Sequence, residues 1–338
     1  DSSFAGNKTA QGNTDENGLG DFYYAVPSGF LAVCSANLPE PTIGPNSATQ
    51  ADDHFQTVTW TGTANNDLDA DENFNLDWLW IKMRGNTADH ALYDSSRGNG
   101  VQLISNSTNA DATNTTNGAR LTQADGGIGF EPGALGDTNS ENIAAVAWLW
   151  KANGGTKTTN DASATSVGTI DSDIQTNTTA GFSIVQYEAT GSAGTIAHGL
   201  GVAPDLIFAR QIEGNSGEGW VTYWNSQGIT GEDGFVGLNS NGAFADSSGE
   251  WNDTAPTSTV FSVGTQGRVN DSGLEYVAYC FSNVQGYCKI GGYEGNGNVD
   301  GPFVYTGFKP AWFIGKKADG AENWFLIDNV RHPLNDGN

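Results

Sequence analysis

The stretch Asn75-Leu76-Asp77-Trp78-Leu79-Trp80-Ile81-Lys82 decides the fold, because the chain carries its pattern three times. The later copies are Ala203-Pro204-Asp205-Leu206-Ile207-Phe208-Ala209-Arg210 and Lys309-Pro310-Ala311-Trp312-Phe313-Ile314-Gly315-Lys316. Each is a short run of large apolar residues, entered through a turn-forming position and closed by one basic residue, as in a buried strand that emerges into solvent. In Trp78-Leu79-Trp80 and in Trp148-Leu149-Trp150, a period of two puts both indoles on one face and the aliphatic residues on the other. Both faces are then apolar, which describes an inner strand covered on both sides.

Working outward, the copies extend into longer units. Phe55-Gln56-Thr57-Val58-Thr59-Trp60 matches Phe182-Ser183-Ile184-Val185-Gln186-Tyr187, and Ala145 to Trp150 matches Tyr276 to Phe281. Phe130 to Trp148 and Phe261 to Tyr279 are both 18 residues; Tyr187 to Arg210 and Tyr293 to Lys316 are both 23, with Trp60 to Lys82 one shorter. Strand signals every 10 to 20 residues, with no sustained helical periodicity, predict an all-β chain of tandem β-sandwich-like repeats joined by Gly/Asn/Ser/Thr-rich linkers. The expected boundaries are a first piece at 1–41, a linker at 42–53, repeat 1 at 54–155, a linker at 156–180, repeat 2 at 181–286, and the first half of a repeat 3 at 287–338. The third copy has no counterpart of the closing strand, so the remainder is expected in a longer polypeptide or from a neighbour.

Composition narrows the function classes. Only 16% of the 338 residues are charged, and 10 Trp, 10 Tyr and 16 Phe supply ample surface to bury, which excludes a disordered chain. The formal net charge of -25, with no basic cluster, argues against nucleic acid and anionic membranes as partners. No apolar run has membrane-spanning length. Cys34, Cys280 and Cys288 are too few and wrongly spaced for a disulfide framework or a zinc site, and read as small buried hydrophobes.

The phrase Phe30-Leu31-Ala32-Val33-Cys34-Ser35-Ala36-Asn37-Leu38-Pro39 resembles the closing strand of a SPRY domain, a concanavalin A-like β-sandwich found in virion proteins of tailed phages. Most of the chain beyond it is similar to a Gly- and aromatic-rich repeat module of structural proteins of phages that infect marine bacteria and cyanobacteria. The resemblance implies a non-enzymatic virion component, exposed on the particle in a tail fibre or other appendage that contacts host-surface glycan. Its partners would be other virion proteins and further copies of itself. A capsid decoration or fibre-forming assembly protein without a ligand is the alternative, and a glycan-degrading tailspike enzyme the third reading.

The residues themselves offer few sites. Asp94 and Arg97 in the first copy correspond to Asp328 and Arg331 in the third, whereas the second has Trp224 and Gln227. Loss of both charges together is expected of a structural ion pair at i, i+3, with a carboxylate site as the alternative. Asp67, Asp69 and Asp71 place carboxylates two residues apart, like the start of a calcium loop, but Glu72 and Trp78 stand where an EF-hand needs Gly and Glu. Calcium in another geometry and a solvated loop both remain open. Trp220, Trp224 and Trp251 sit in Gly/Asn/Ser-rich surroundings, where an exposed indole would stack on a sugar or seal a subunit contact. His54, His90, His198 and His332 have no nucleophile or carboxylate at a telling spacing, and no catalytic residues are assigned. Lys82, Arg210 and Lys316 are expected to meet carboxylates at the strand ends.

Overall fold

The computed structural model describes residues 9–37, 41–44, 46–65, 74–121, 129–213, 217–226 and 228–332, and divides into two compact units, Asp1–Pro41 and Thr42–Asn338. In the first unit a buried carboxylate ties distant segments together. Asp15, almost fully buried, accepts hydrogen bonds from the amides of Asn17 (3.0 Å), Leu19 (2.8 Å) and Ala32 (2.8 Å) and from Asn37 Nδ2 (2.6 Å). The closing strand expected from Phe30 onward does not form among the described residues: residues 9–37 have a single isolated bridge, Asn13 to Phe22, and Tyr24 and Phe30 are 72% and 67% exposed. Two short apolar runs have no second layer to bury against within this unit, and a pair of strands is marginal without one.

The second unit is all-β. Its strands are β1 (Phe55–Thr61), β2 (Trp78–Met83), β3 (His90–Asp94), β4 (Val101–Ile104), β5 (Ala112–Thr113), β6 (Ala144–Trp150), β7 (Thr158–Asn160), β8 (Ser172–Asn177) and β9 (Phe182–Glu188). They continue with β10 (Gly194–Ala197), β11 (Leu206–Gln211), β12 (Val221–Trp224), β13 (Gly234–Phe235), β14 (Ala245–Asp246), β15 (Val260–Val263), β16 (Glu275–Phe281), β17 (Trp312–Gly315) and β18 (Phe325–Asp328). Among the described residues, four one-turn helices interrupt them: α1 (Gly136–Asn139), α2 (Ala162–Thr165), α3 (Ser248–Trp251) and α4 (Gly267–Asn270). All the pairings between these strands are antiparallel.

Two six-stranded sheets dominate, in the orders β1-β6-β2-β3-β4-β5 and β7-β8-β9-β16-β11-β12. The run β1-β6-β2-β3 and the run β9-β16-β11-β12 have the same connectivity and register. Trp60 faces Ala145 as Tyr187 faces Tyr276, Lys82 faces Val146 as Arg210 faces Val277, and Trp78 faces Trp150 as Leu206 faces Phe281. The hairpin β17-β18 has the register of β2-β3 and β11-β12, since Trp312 faces Asp328 as Trp78 faces Asp94 and Leu206 faces Trp224. We refer to the first sheet, the second sheet and this hairpin as three lobes.

The packing revises the expected organisation. Separate sandwiches on linkers would bury each repeat against itself, but the indole faces of the two sheets pack on one another: Trp78 stacks on Tyr279 with ring centres 4.5 Å apart, and Trp78, Trp80, Trp148, Phe182, Phe208 and Tyr279 share one buried cluster. Trp312, Ile314, Trp324 and Leu326 of the hairpin pack against the same cluster. The opposite face of the first sheet is covered by Ala119, Leu121 and Phe130, and that of the second by Trp251, Phe261 and Val269. This double cover explains why β2, β6, β11 and β16 are apolar on both sides. The expected linker at 156–180 is instead β7, α2 and β8, which extend the second sheet beyond β9. In the expected linker at 42–53, Ile43 is fully buried and Ala51–Asp53 form a turn of 3₁₀ helix.

Candidate functional site

Part of the polar chemistry of the interior lies where lobes meet. Between the first and second, Asp94 is fully buried and its Oδ2 accepts from Arg97 Nε and from the Tyr279 hydroxyl, both at 2.6 Å, while Oδ1 accepts from the amides of Ser96 (3.0 Å) and Arg97 (2.9 Å). Burial alone would lower the Arg97 pKa, but the adjacent carboxylate of Asp94 overcomes it and holds the guanidinium charged. Burial, reinforced by Asp94, pushes the Tyr279 hydroxyl well above its ordinary pKa, so it remains a donor. Between the third and first lobes the arrangement recurs: Asp328 pairs with Arg331 and accepts from Trp148 Nε1 at 3.1 Å, and the Arg331 guanidinium lies 5.2 Å from the Trp148 ring centre. Trp148 and Tyr279 hold the same strand position, each facing the second inward residue of the neighbouring strand, Trp80 and Phe208.

The second lobe departs from this. Trp224 stands at the register position of Asp94 and Asp328, is half-buried, and meets Phe244 edge to face at 5.8 Å. Its expected companion Gln227 lies outside the described residues. Trp220 and Trp251, expected as exposed stacking platforms, are each 1% exposed. Trp220 donates from Nε1 to the Ile104 carbonyl (2.9 Å) across the junction of the first two lobes, and Trp251 packs on Tyr223 beneath the second sheet. Trp220 immediately precedes β12 and Trp251 closes α3, so both indoles are carried into the core by elements that their polar flanking sequence did not report.

The basic strand ends also differ from expectation. Arg210 donates from Nη2 to the carbonyls of Thr108 (2.6 Å) and Asn109 (2.9 Å) in the first lobe, and from Nη1 to the Glu218 carbonyl. Lys316 reaches Lys317 O (2.6 Å) and, in the second lobe, Asn241 O (3.4 Å); Lys82 reaches Met83 O and Ala88 O, both at 2.7 Å, in its own lobe. The Asn- and Gly-rich loops turn carbonyl groups inward, and these take the place of the expected carboxylates. Burial lowers the pKa of all three, that of Arg210 to about 10.

Asn139 and Asn270, which no sequence signal singled out, do the same task in two lobes. Asn139 donates from Nδ2 to Gly133 O (2.7 Å) and Asn65 O (2.8 Å) and accepts from Thr63 N (2.9 Å). Asn270 donates to Gly264 O (2.6 Å) and Ser192 O (2.7 Å) and accepts from Thr190 N (2.9 Å). The shared spacing Gly-x-x-Gly-x-x-Asn, at Gly133-Gly136-Asn139 and Gly264-Gly267-Asn270, is the signal that could have found them. A Cβ on Gly133 would lie 2.3 Å from the Asn117 carbonyl and one on Gly264 2.2 Å from that of Gly249, so both positions need glycine. Asp77 is spent likewise: fully buried, it accepts from the amides of Ala152 (2.6 Å), Gly154 (2.9 Å) and Gly155 (2.8 Å) and from Ser95 Oγ (2.6 Å).

His54 contacts Thr49 and Asn177, His90 accepts from Trp80 Nε1 (3.0 Å), and His198 lies against Thr257 O (3.1 Å) and Leu200 N (3.2 Å); His332 is exposed. Burial lifts the Cys280 thiol to about 12. Cys280 is buried as expected, but Cys34 is exposed and Cys288 only partly buried. Among the described residues no three His, Cys, Asp or Glu side chains gather to hold a metal; Asp67, Asp69 and Asp71 lie outside the described residues. Two shallow cavities of about 370 and 350 Å³ are lined by Thr, Ser, Asn, Gln, Gly and small apolar residues. No helix of the described residues is long and apolar enough to cross a membrane. A family model described as "Domain of unknown function (DUF7483)" matches residues 50–338. No curated protein and no solved structure matches the chain.

Proposed function

Because the chain belongs to this domain family, whose description carries no activity, we propose from its residues and its resemblance to phage repeat proteins that it is a non-enzymatic structural component of a tailed-phage virion. In this reading it sits in a tail fibre or surface appendage, exposed on the particle, and contacts host-surface glycan. The observation that supports it most directly is the use of the buried polar groups. Asp77, Asp94, Asp328, Asn139 and Asn270 are each bound to main-chain amides or carbonyls, or to partner side chains, that join segments distant in the chain. Such groups fix geometry and are not poised to exchange protons with a substrate. The -25 formal charge agrees with a solvated particle surface and with partners other than nucleic acid.

The test is to label the protein on intact particles with an antibody raised against it and to image them by electron microscopy, alongside binding of the isolated protein to host cells. Label confined to an appendage, with cell binding competed by excess host polysaccharide, is the expected result. Uniform label over the head would replace this reading with a capsid decoration protein. Release of reducing sugar from host envelope would replace it with a glycan-degrading enzyme.

A further inference from the structure

We infer that the outer edge of β17 is an acceptor site for an added strand, and that its occupant is an extended peptide segment with the side-chain pattern of β6 and β16. Beyond its first residue that pattern is apolar, with aromatic residues at two successive inward positions, Trp148 and Trp150 in β6 and Tyr279 and Phe281 in β16. β2 and β11 each pair with a hairpin partner on one edge and with such a strand on the other. β17, in register with them, has only β18 among the described residues. The added strand would extend an interface that already exists, because Trp312 and Ile314 are built into the core shared by all three lobes. On the other face of the hairpin, Phe313, Phe325 and Ile327 are 39%, 43% and 39% exposed, whereas the equivalent faces of the first two lobes are covered. Main-chain pairing at a free edge, with side-chain pockets reading alternate residues, is the established physics of strand addition.

The junctions further define the occupant. Tyr279 of the second lobe reaches Asp94 of the first, and Trp148 of the first reaches Asp328 of the third. By the same register, the added residue opposite Ile314 would reach Trp224 of the second lobe, which is half-buried where Asp94 and Asp328 are buried. Trp224 offers no acceptor. This junction therefore selects an aromatic residue without a hydrogen-bond donor, because a buried hydroxyl there would lose its partner.

The experiment uses the full chain and synthetic peptides with the sequence of residues 274–282, Cys280 replaced by Ser, carrying either Tyr or Phe at the position of Tyr279. Amide hydrogen exchange locates the bound peptide and fluorescence anisotropy measures its affinity. The expected result is protection confined to residues 311–316, a scrambled peptide at least tenfold weaker, and the Phe peptide binding at least as tightly as the Tyr peptide. In the Trp224→Asp variant the order reverses in favour of Tyr by several-fold, with unchanged protection of the β9 and β16 amides showing that the variant is folded. Protection elsewhere, or none, would overturn the proposal. So would Tyr favoured over Phe in the unaltered chain, or no reversal in Trp224→Asp. Protection of β17 that rises with protein concentration in the absence of peptide, together with dimers in sedimentation, would assign the edge to a second copy instead.

Discussion

The junction at Asp94 and the position of Trp224 are the same place in two lobes, solved in opposite ways. At Asp94 a carboxylate, a guanidinium and a phenol are all removed from water and satisfy one another. At Trp224 the strand position is taken by an uncharged indole that remains partly exposed. The difference teaches that a buried ion pair here is a consequence of what lies opposite. Where the neighbouring lobe presents a hydroxyl or an indole N–H, an acceptor is required, and the acceptor in turn requires Arg to balance its charge.

Breaking the first junction is expected to have the largest effect. Asp94→Ala strands Arg97, whose side chain is 2% exposed, and should cost about 3–5 kcal/mol in urea unfolding. The double variant Asp94→Leu with Arg97→Met imitates the uncharged solution and should recover more than half of that loss. Equal losses in the single and double variants would show that the charges are not the coupled unit. Next come the two buried asparagines, Asn139→Ala and Asn270→Ala, which leave main-chain groups unpaired and should each cost about 1–3 kcal/mol, with nearly additive effects because they lie in different lobes. Asp328→Ala sharpens the comparison. Its partner Arg331 is 15% exposed, so water can solvate the freed guanidinium and the loss should be clearly smaller than at Asp94.

The last effect is confined to acid pH. Burial, assisted by Lys82, lowers the His90 pKa to about 4, against about 6.5 in an unfolded chain. Between those values the unfolded chain binds the proton and the folded one does not. The stability associated with neutral His90 is therefore fully present above pH 6.5 and is lost progressively as pH falls to 4. A series of urea titrations should show His90→Gln with a shallower dependence on pH in that window than the unaltered chain; an identical slope would mean that His90 protonates without penalty.

Much of this was legible in the residues. The triple pattern ending in Lys82, Arg210 and Lys316 predicted the strands β2, β11 and β17, and the constant spacings Phe130 to Trp148 and Phe261 to Tyr279 predicted that β6 and β16 are equivalent. The paired loss of Asp and Arg in the second copy predicted that Asp94 and Arg97 belong together. Trp220 and Trp251 were not legible, because Gly, Asn and Ser flank an indole in a solvent loop as readily as one at the start of a strand or the end of a helical turn. The strands β7 and β8 were missed because Thr, Asn and Ser dominate them, and the first piece of the chain lacks the layer that would have made strands of its apolar runs.

The residues alone dictate the all-β class, the inner strands and the correspondence of strands between copies, because side-chain alternation, turn chemistry and spacing are properties of the linear chain. Only the tertiary structure decided that the indole faces of different lobes bury one another, that Asp94 answers Tyr279 and Asp328 answers Trp148, and that β17 pairs on one edge alone among the described residues. Those outcomes depend on which apolar face finds which, between residues as much as 185 positions apart, and nothing in a local pattern specifies the partner of a face.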